Sequence, residues 1–144
     1  MDEAVYRERI RQAEQVACPF AKAILSACAA CTQATRVQVA ERELVVCETP
    51  ACHRRCDMLH DLLRHNFGFA IGQLRDEAPI PHAQEMRIQC GGLRALSQVL
   101  RDQAEVADVD DLLRGLLQRW PDPMEIPYAE VVHAARLLYK GRRG

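Results

Sequence analysis

Residues 49–66 read TPACHRRCDMLHDLLRHN, and this stretch decides the class of fold. Thr49 followed by Pro50 has the form of an N-cap and a proline at the first helical position, where the missing N–H costs nothing. Cys52, Cys56, Leu59 and Leu63 then recur at spacings of 4, 3 and 4, which is one face of an α-helix. The pattern predicts a helix from Pro50 to about Asn66, with Gly68 as its stop.

Toward the N-terminus the same period continues. Val5, Ile10, Ala13 and Val16 form a loose apolar stripe over a first helix from Asp2 to about Ala17. Pro19 suits the opening turn of a second helix from about Phe20 to Val39, with Phe20, Ile24, Ala27, Cys31 and Ala34 near one face. Glu41–Cys47, which contains Leu44, Val45 and Val46, either prolongs that helix or forms a short extended piece.

Toward the C-terminus, Pro79-Ile80-Pro81 bars a continuous helix. A short helical stretch from His82 to Gln89 follows and ends at Cys90-Gly91-Gly92. Further helices are expected over Leu93–Gln103, Asp110–Arg119 and Pro127–Tyr139. The third of these is preceded by the breaker Trp120-Pro121-Asp122-Pro123. No strand-like alternation persists long enough to predict a sheet. The expected fold is all-α, a compact bundle of about five to seven helices in one domain spanning 1–144. Within it, a cysteine-bearing part (about 1–103) precedes cysteine-free C-terminal helices (about 108–140).

Composition narrows the function. Hydrophobic residues are 49% and charged residues 27% of the 144, a soluble globular balance that argues against disorder. No apolar run approaches the roughly 20 residues of a membrane span, so no membrane partner is expected. The net charge is −1, and Lys and Arg alternate with Asp and Glu along most segments, apart from Lys140, Arg142 and Arg143. Nucleic acid, which demands a basic surface, is therefore not expected as a partner. The charged N-terminal residues lack the apolar stretch of an export signal, so a cytoplasmic location with reduced thiols is expected.

Seven cysteines are the compositional anomaly: Cys18, Cys28, Cys31, Cys47, Cys52, Cys56 and Cys90. An odd number cannot pair completely within one chain, and reduced thiols point to metal or redox chemistry. Cys28 and Cys31 form a C-x-x-C pair, and Cys47, Cys52 and Cys56 a tight group. Cys90 precedes Gly91 and Gly92, which lack Cβ atoms and sit at the start of a predicted helix. Both features favour N–H groups and positive dipole near an anionic ligand.

Such surroundings suit a thiolate-ligated iron–sulfur cluster, expected as 4Fe–4S. Cys31, Cys47, Cys56 and Cys90 are the first candidates for its ligands, with Cys52 and Cys28 as substitutes and Cys18, which stands alone, last. Gly91 and Gly92 would contact the cofactor. Zinc is the alternative, held by Cys28, Cys31, Cys52 and Cys56, with His53 or His60 replacing one thiolate. For any single cysteine the plain reading is a small buried hydrophobe.

No P-loop, dinucleotide fingerprint or nucleophile elbow is present, and no nucleophile–base pair marks an enzyme. The expected function is an iron–sulfur protein for electron transfer, redox sensing or an accessory role, working with a protein redox partner. The alternative is a zinc-stabilised helical adaptor.

Overall fold

The computed structural model describes residues 2–70 and 79–141 of the chain. It is mostly helical, with one two-stranded antiparallel sheet. Helix α1 (Glu3–Gln15) and the five-residue α2 (Ala21–Leu25) precede β1 (Ala34–Val39) and β2 (Arg42–Cys47). The long α3 (Pro50–Ala70) follows, then α4 (His82–Met86), α5 (Gly92–Arg101), α6 (Val109–Arg119) and α7 (Tyr128–Leu138). Of the terminal basic cluster, Arg142 and Arg143 lie outside the described residues.

The all-α expectation is corrected at the hairpin. The helix anticipated over Phe20–Val39 stops at Leu25, because Ala27 takes a left-handed backbone (φ 63°) that no α-helix contains. Beyond it, Thr35, Val37 and Val39 are β-branched residues at every second position, the spacing of a strand. Glu41–Cys47, undecided from sequence, is extended: β2 pairs with β1 in the register Ala34↔Cys47 to Val39↔Arg42. The two-residue turn between them puts Ala40 at φ 55°. An alanine there carries none of the Asn-Gly or Asp-Gly signal that announces tight hairpins.

A second correction concerns the glycines after Cys90. They do not open a new helix: α4 runs through a π-helical turn (Arg87–Gly91) directly into α5. Their lack of Cβ atoms serves packing. A Cβ on Gly91 would lie 3.2 Å from the Cβ and carbonyl oxygen of Ala135 in α7, and one on Gly92 would lie 3.1 Å from Cδ1 of Leu63 in α3. Glycine thus lets three helices approach closely.

The core lies where α3, α5, α6 and α7 meet. Leu59, Leu63, Leu93, Leu96, Leu112, Leu113, Leu116 and Val131 are fully buried there. Each buried leucine contributes roughly 2 kcal/mol of burial free energy before entropy is counted. α3 also reaches past the expected stop, through Gly68 to Ala70. At its other end it faces the hairpin, where the buried side chains become Val45, Cys47, Cys52 and Cys56. α1 buries no residue. Among the described residues, no helix is long and apolar enough to cross a membrane.

Candidate metal centre

Five cysteines remain as thiols: Cys18, Cys31, Cys47, Cys52 and Cys56. Four separate features of the chain bring them together. The Cys18 N–H bonds to the Val45 carbonyl (2.9 Å) and the Cys47 N–H to the Val16 carbonyl (2.8 Å), so residues 16–18 lie beside β2 through a single bridge, Ala17↔Val46. This sets Cys18 next to Cys47, the last residue of β2. Cys52 and Cys56 stand one turn apart on α3, both buried.

Cys31 comes from the loop that links α2 to β1. That loop is pinned to the start of α6: the Val109 N–H donates to Ala30 (2.9 Å), and Asp108 accepts from the Thr32 N–H (3.0 Å) and hydroxyl (3.1 Å). Asp108 also caps α6 through the Asp110 N–H. Cys31 therefore sits at a helix N-terminus, and its sulfur accepts backbone N–H bonds from Gln33 and Asp110. The Cys18 sulfur accepts one from Phe20.

The electrostatics report how close the group is. Burial pushes the Cys18 thiol up to about 11, and the charges of Cys31 and Cys47 add to the rise. Burial pushes Cys56 up to about 12, with Cys18, Cys31 and Cys47 contributing. Cys31 is also raised, first by burial and then by Asp108 and Asp110. Cys52 is raised strongly by burial, by Cys56, and by hydrogen bonds to Asp110 and Cys47. For Cys18, Cys52 and Cys56, burial and the neighbouring thiols together favour the protonated form.

Asp110 borders the group. It is buried, accepts from Arg55 Nη2 (3.0 Å) and Arg114 Nε (3.2 Å), and pairs with the Cys52 thiol. Burial raises its carboxyl, but these hydrogen bonds and charges outweigh burial and hold it below the usual carboxylate range. Arg55 Nε, one turn from Cys52, is a buried N–H with no acceptor.

The remaining candidates lie elsewhere. Cys28 and Cys90 are joined in a disulfide, so the structure offers neither as a thiol ligand. Gly91 and Gly92 face Ala135 and Leu63, and their N–H groups lie inside a continuous helix. His53 Nε2 bonds to the Ala17 carbonyl (3.0 Å), and His60 pairs with Glu85 while its ring meets Phe20 edge-on. The predicted cap residue Thr49 gives its hydroxyl to the Gln33 side chain.

No protein family, curated protein or solved structure matches the chain. The site is therefore read from its own residues.

Two of these residues escape sequence reading. Cys18 looks isolated along the chain and reaches the group only through the pairing of residues 16–18 with β2. Asp110 reads as a first-turn acid of α6, a position it also occupies, and nothing local signals its contact with Cys52 across the fold. Among the described residues, no three or more His, Cys, Asp or Glu side chains are arranged to hold a single metal ion.

Proposed function

We propose that the chain binds an iron–sulfur cluster, 4Fe–4S in type, on Cys18, Cys31, Cys47 and Cys56, with Cys52 as a fifth thiol beside them. One observation carries the reading: Cys18, Cys47 and Cys56 are buried, Cys31 is half-buried beside them, and Cys18 and Cys56 lie within electrostatic reach of the other two and of each other. Zinc would need its sulfurs gathered around one point about 2.3 Å from each. Four thiols delivered by separate segments of the chain, three of them buried, suit a larger, polynuclear group. The N–H bonds to Cys31 and Cys18 support the same reading, because N–H···S bonds and burial set a cluster's potential.

Bound iron would replace the four thiol protons, and Asp110, paired with Arg55 and Arg114, would meet the site through Cys52. Cys31 is half-exposed and lines an open cleft of about 470 Å³ with Arg36 and Glu105 on its rim. A protein redox partner would approach there, where the path to the cluster is shortest. Electron transfer or redox sensing is the role proposed for the cluster.

Anaerobic purification with measurement of visible absorption, iron, sulfide and zinc tests the reading. The expected result is a broad band at roughly 400 nm with about four iron and about four sulfide per chain. One zinc per chain and no colour would favour the structural adaptor instead. A colourless chain without metal after anaerobic reconstitution would overturn both.

A further inference from the structure

A second cleft, of about 850 Å³, opens between α2, α4 and the chain that leaves α7, and Cys28 lines both it and the cleft that holds Cys31. Its wall carries Lys22, His82, Arg87 and Lys140, and no carboxylate among its described lining residues. Lys22 Nζ donates to His82 Nδ1 (2.8 Å), which fixes the ammonium at one spot on this wall. Leu25, Met86 and Tyr139 supply apolar surface between the charges. Such a cleft recognises a small anion with some apolar bulk.

A disulfide sulfur lies in the same wall. Cys28 is half-buried and lines the cleft, whereas its partner Cys90 is fully buried in the π-helical turn. The Ser26 hydroxyl, also in the wall, has three acceptors for its one proton, the Ala23 carbonyl (3.2 Å), Cys28 Sγ (3.4 Å) and Cys90 Sγ (3.6 Å), so it can turn to a sulfur that becomes charged. Exchange at a disulfide requires a reachable sulfur, a leaving sulfur whose charge is stabilised, and a nucleophile held as thiolate. Cations lower a thiol's pKa and so supply the third condition.

We propose that Cys28–Cys90 is a thiol-exchange site for small thiols that carry carboxylates. The incoming thiolate attacks Cys28 Sγ, and the S–S bond breaks with its electron pair on Cys90 Sγ. That sulfur is stabilised by the Ser26 hydroxyl and takes a proton. A second small thiolate then attacks the mixed disulfide at its small-molecule sulfur and releases Cys28 as thiolate. Two small thiols are oxidised to their disulfide as one protein disulfide is reduced, and the reverse sequence closes it again. The site uses none of the five thiols of the candidate metal centre and stands or falls without it.

The test compares the rates at which glutathione, net negative, and cysteamine, net positive, open the disulfide in the full chain. Rapid alkylation and mass analysis follow the reaction. Glutathione should lose its advantage over cysteamine by about tenfold in Lys22→Glu/Arg87→Glu/Lys140→Glu, the low end of what a charged cleft contributes to association rates. The same loss should appear in wild type as salt is raised. In Cys90→Ser, oxidised glutathione should leave a mixed disulfide on Cys28. A ratio unmoved by charge reversal, an adduct on another cysteine in place of Cys28, or Cys28 and Cys90 left as free thiols after oxidised glutathione would each overturn the proposal. Unchanged far-ultraviolet circular dichroism in the charge variants keeps the comparison free of unfolding.

Discussion

The half of the core built on α5, α6 and α7 and the half built around α2, the hairpin and the start of α3 are both buried, but by different side chains. The first is filled with Leu93, Leu96, Leu112, Leu113, Leu116 and Val131. The second places Cys18, Cys47, Cys52 and Cys56 where a bundle would place leucines. Leucines gain from burial alone. Thiols contribute less apolar area, and burial, with smaller contributions from neighbouring thiols, raises the pKa values of Cys18, Cys52 and Cys56. One half is packed with leucines, and the other carries the thiols on which the proposed cluster would sit.

The largest effect expected from this contrast is on cofactor content. Cys47→Ser and Cys56→Ser should each abolish the visible band and most of the bound iron, while Cys52→Ser should retain both. Loss of colour in Cys52→Ser with retention in Cys56→Ser would exchange their roles.

Next in size is a truncation in the leucine half. Leu113→Ala should destabilise the apo and loaded forms alike by about 3 kcal/mol, the cost of lost burial plus a cavity. Chemical denaturation of both forms checks this. A penalty confined to one form would show that the two halves are coupled.

The pH dependence of the apo form sharpens the comparison from the other side. A thiol whose pKa is raised in the folded state adds its share of stability below its unfolded value, and that share is lost as pH rises through the folded value. For Cys18, with an ordinary value of 9.0 and a folded value of about 11, the loss falls between those limits. It amounts to about 3 kcal/mol at 1.36 kcal/mol per unit. Urea midpoints of metal-free protein at pH 8 and pH 11 measure it, and the Cys18→Ser variant should lose less over the same interval.

The smallest effect is at the border. Asp110→Asn should cost about 1–2 kcal/mol, because Arg55 and Arg114 are both partly exposed and water screens them. Asp110 is held below the usual carboxylate range, so its contribution is present at neutral pH and is lost as pH falls through that lowered value. Thermal unfolding at pH 7 and pH 3 should show the variant's penalty shrinking at the lower pH.

The two halves also differ in how much of them sequence reveals. Leucines at helical spacing placed α5, α6 and α7 within one or two residues of where they lie. The face of α3 that carries Cys52, Cys56, Leu59 and Leu63 is likewise buried as its spacing predicts. The hairpin was hidden because its turn uses Ala40 in a left-handed conformation, and because the alanines of 21–34 resemble a helix until Ala27. The role of Cys18 was hidden because it depends on a bridge to β2 rather than on any neighbour in sequence. The pairing of Cys28 with Cys90, 62 residues apart, has no local signature either. Local period identifies elements, whereas the meeting of loops is set by the fold as a whole.

Iron and sulfide per chain in Cys18→Ser and in Cys90→Ser, reconstituted side by side with circular dichroism to confirm folding, test the central claim most directly. Loss of the cluster in Cys18→Ser with near wild-type content in Cys90→Ser is the predicted result. Full content in a folded Cys18→Ser, with loss in Cys90→Ser, would contradict it.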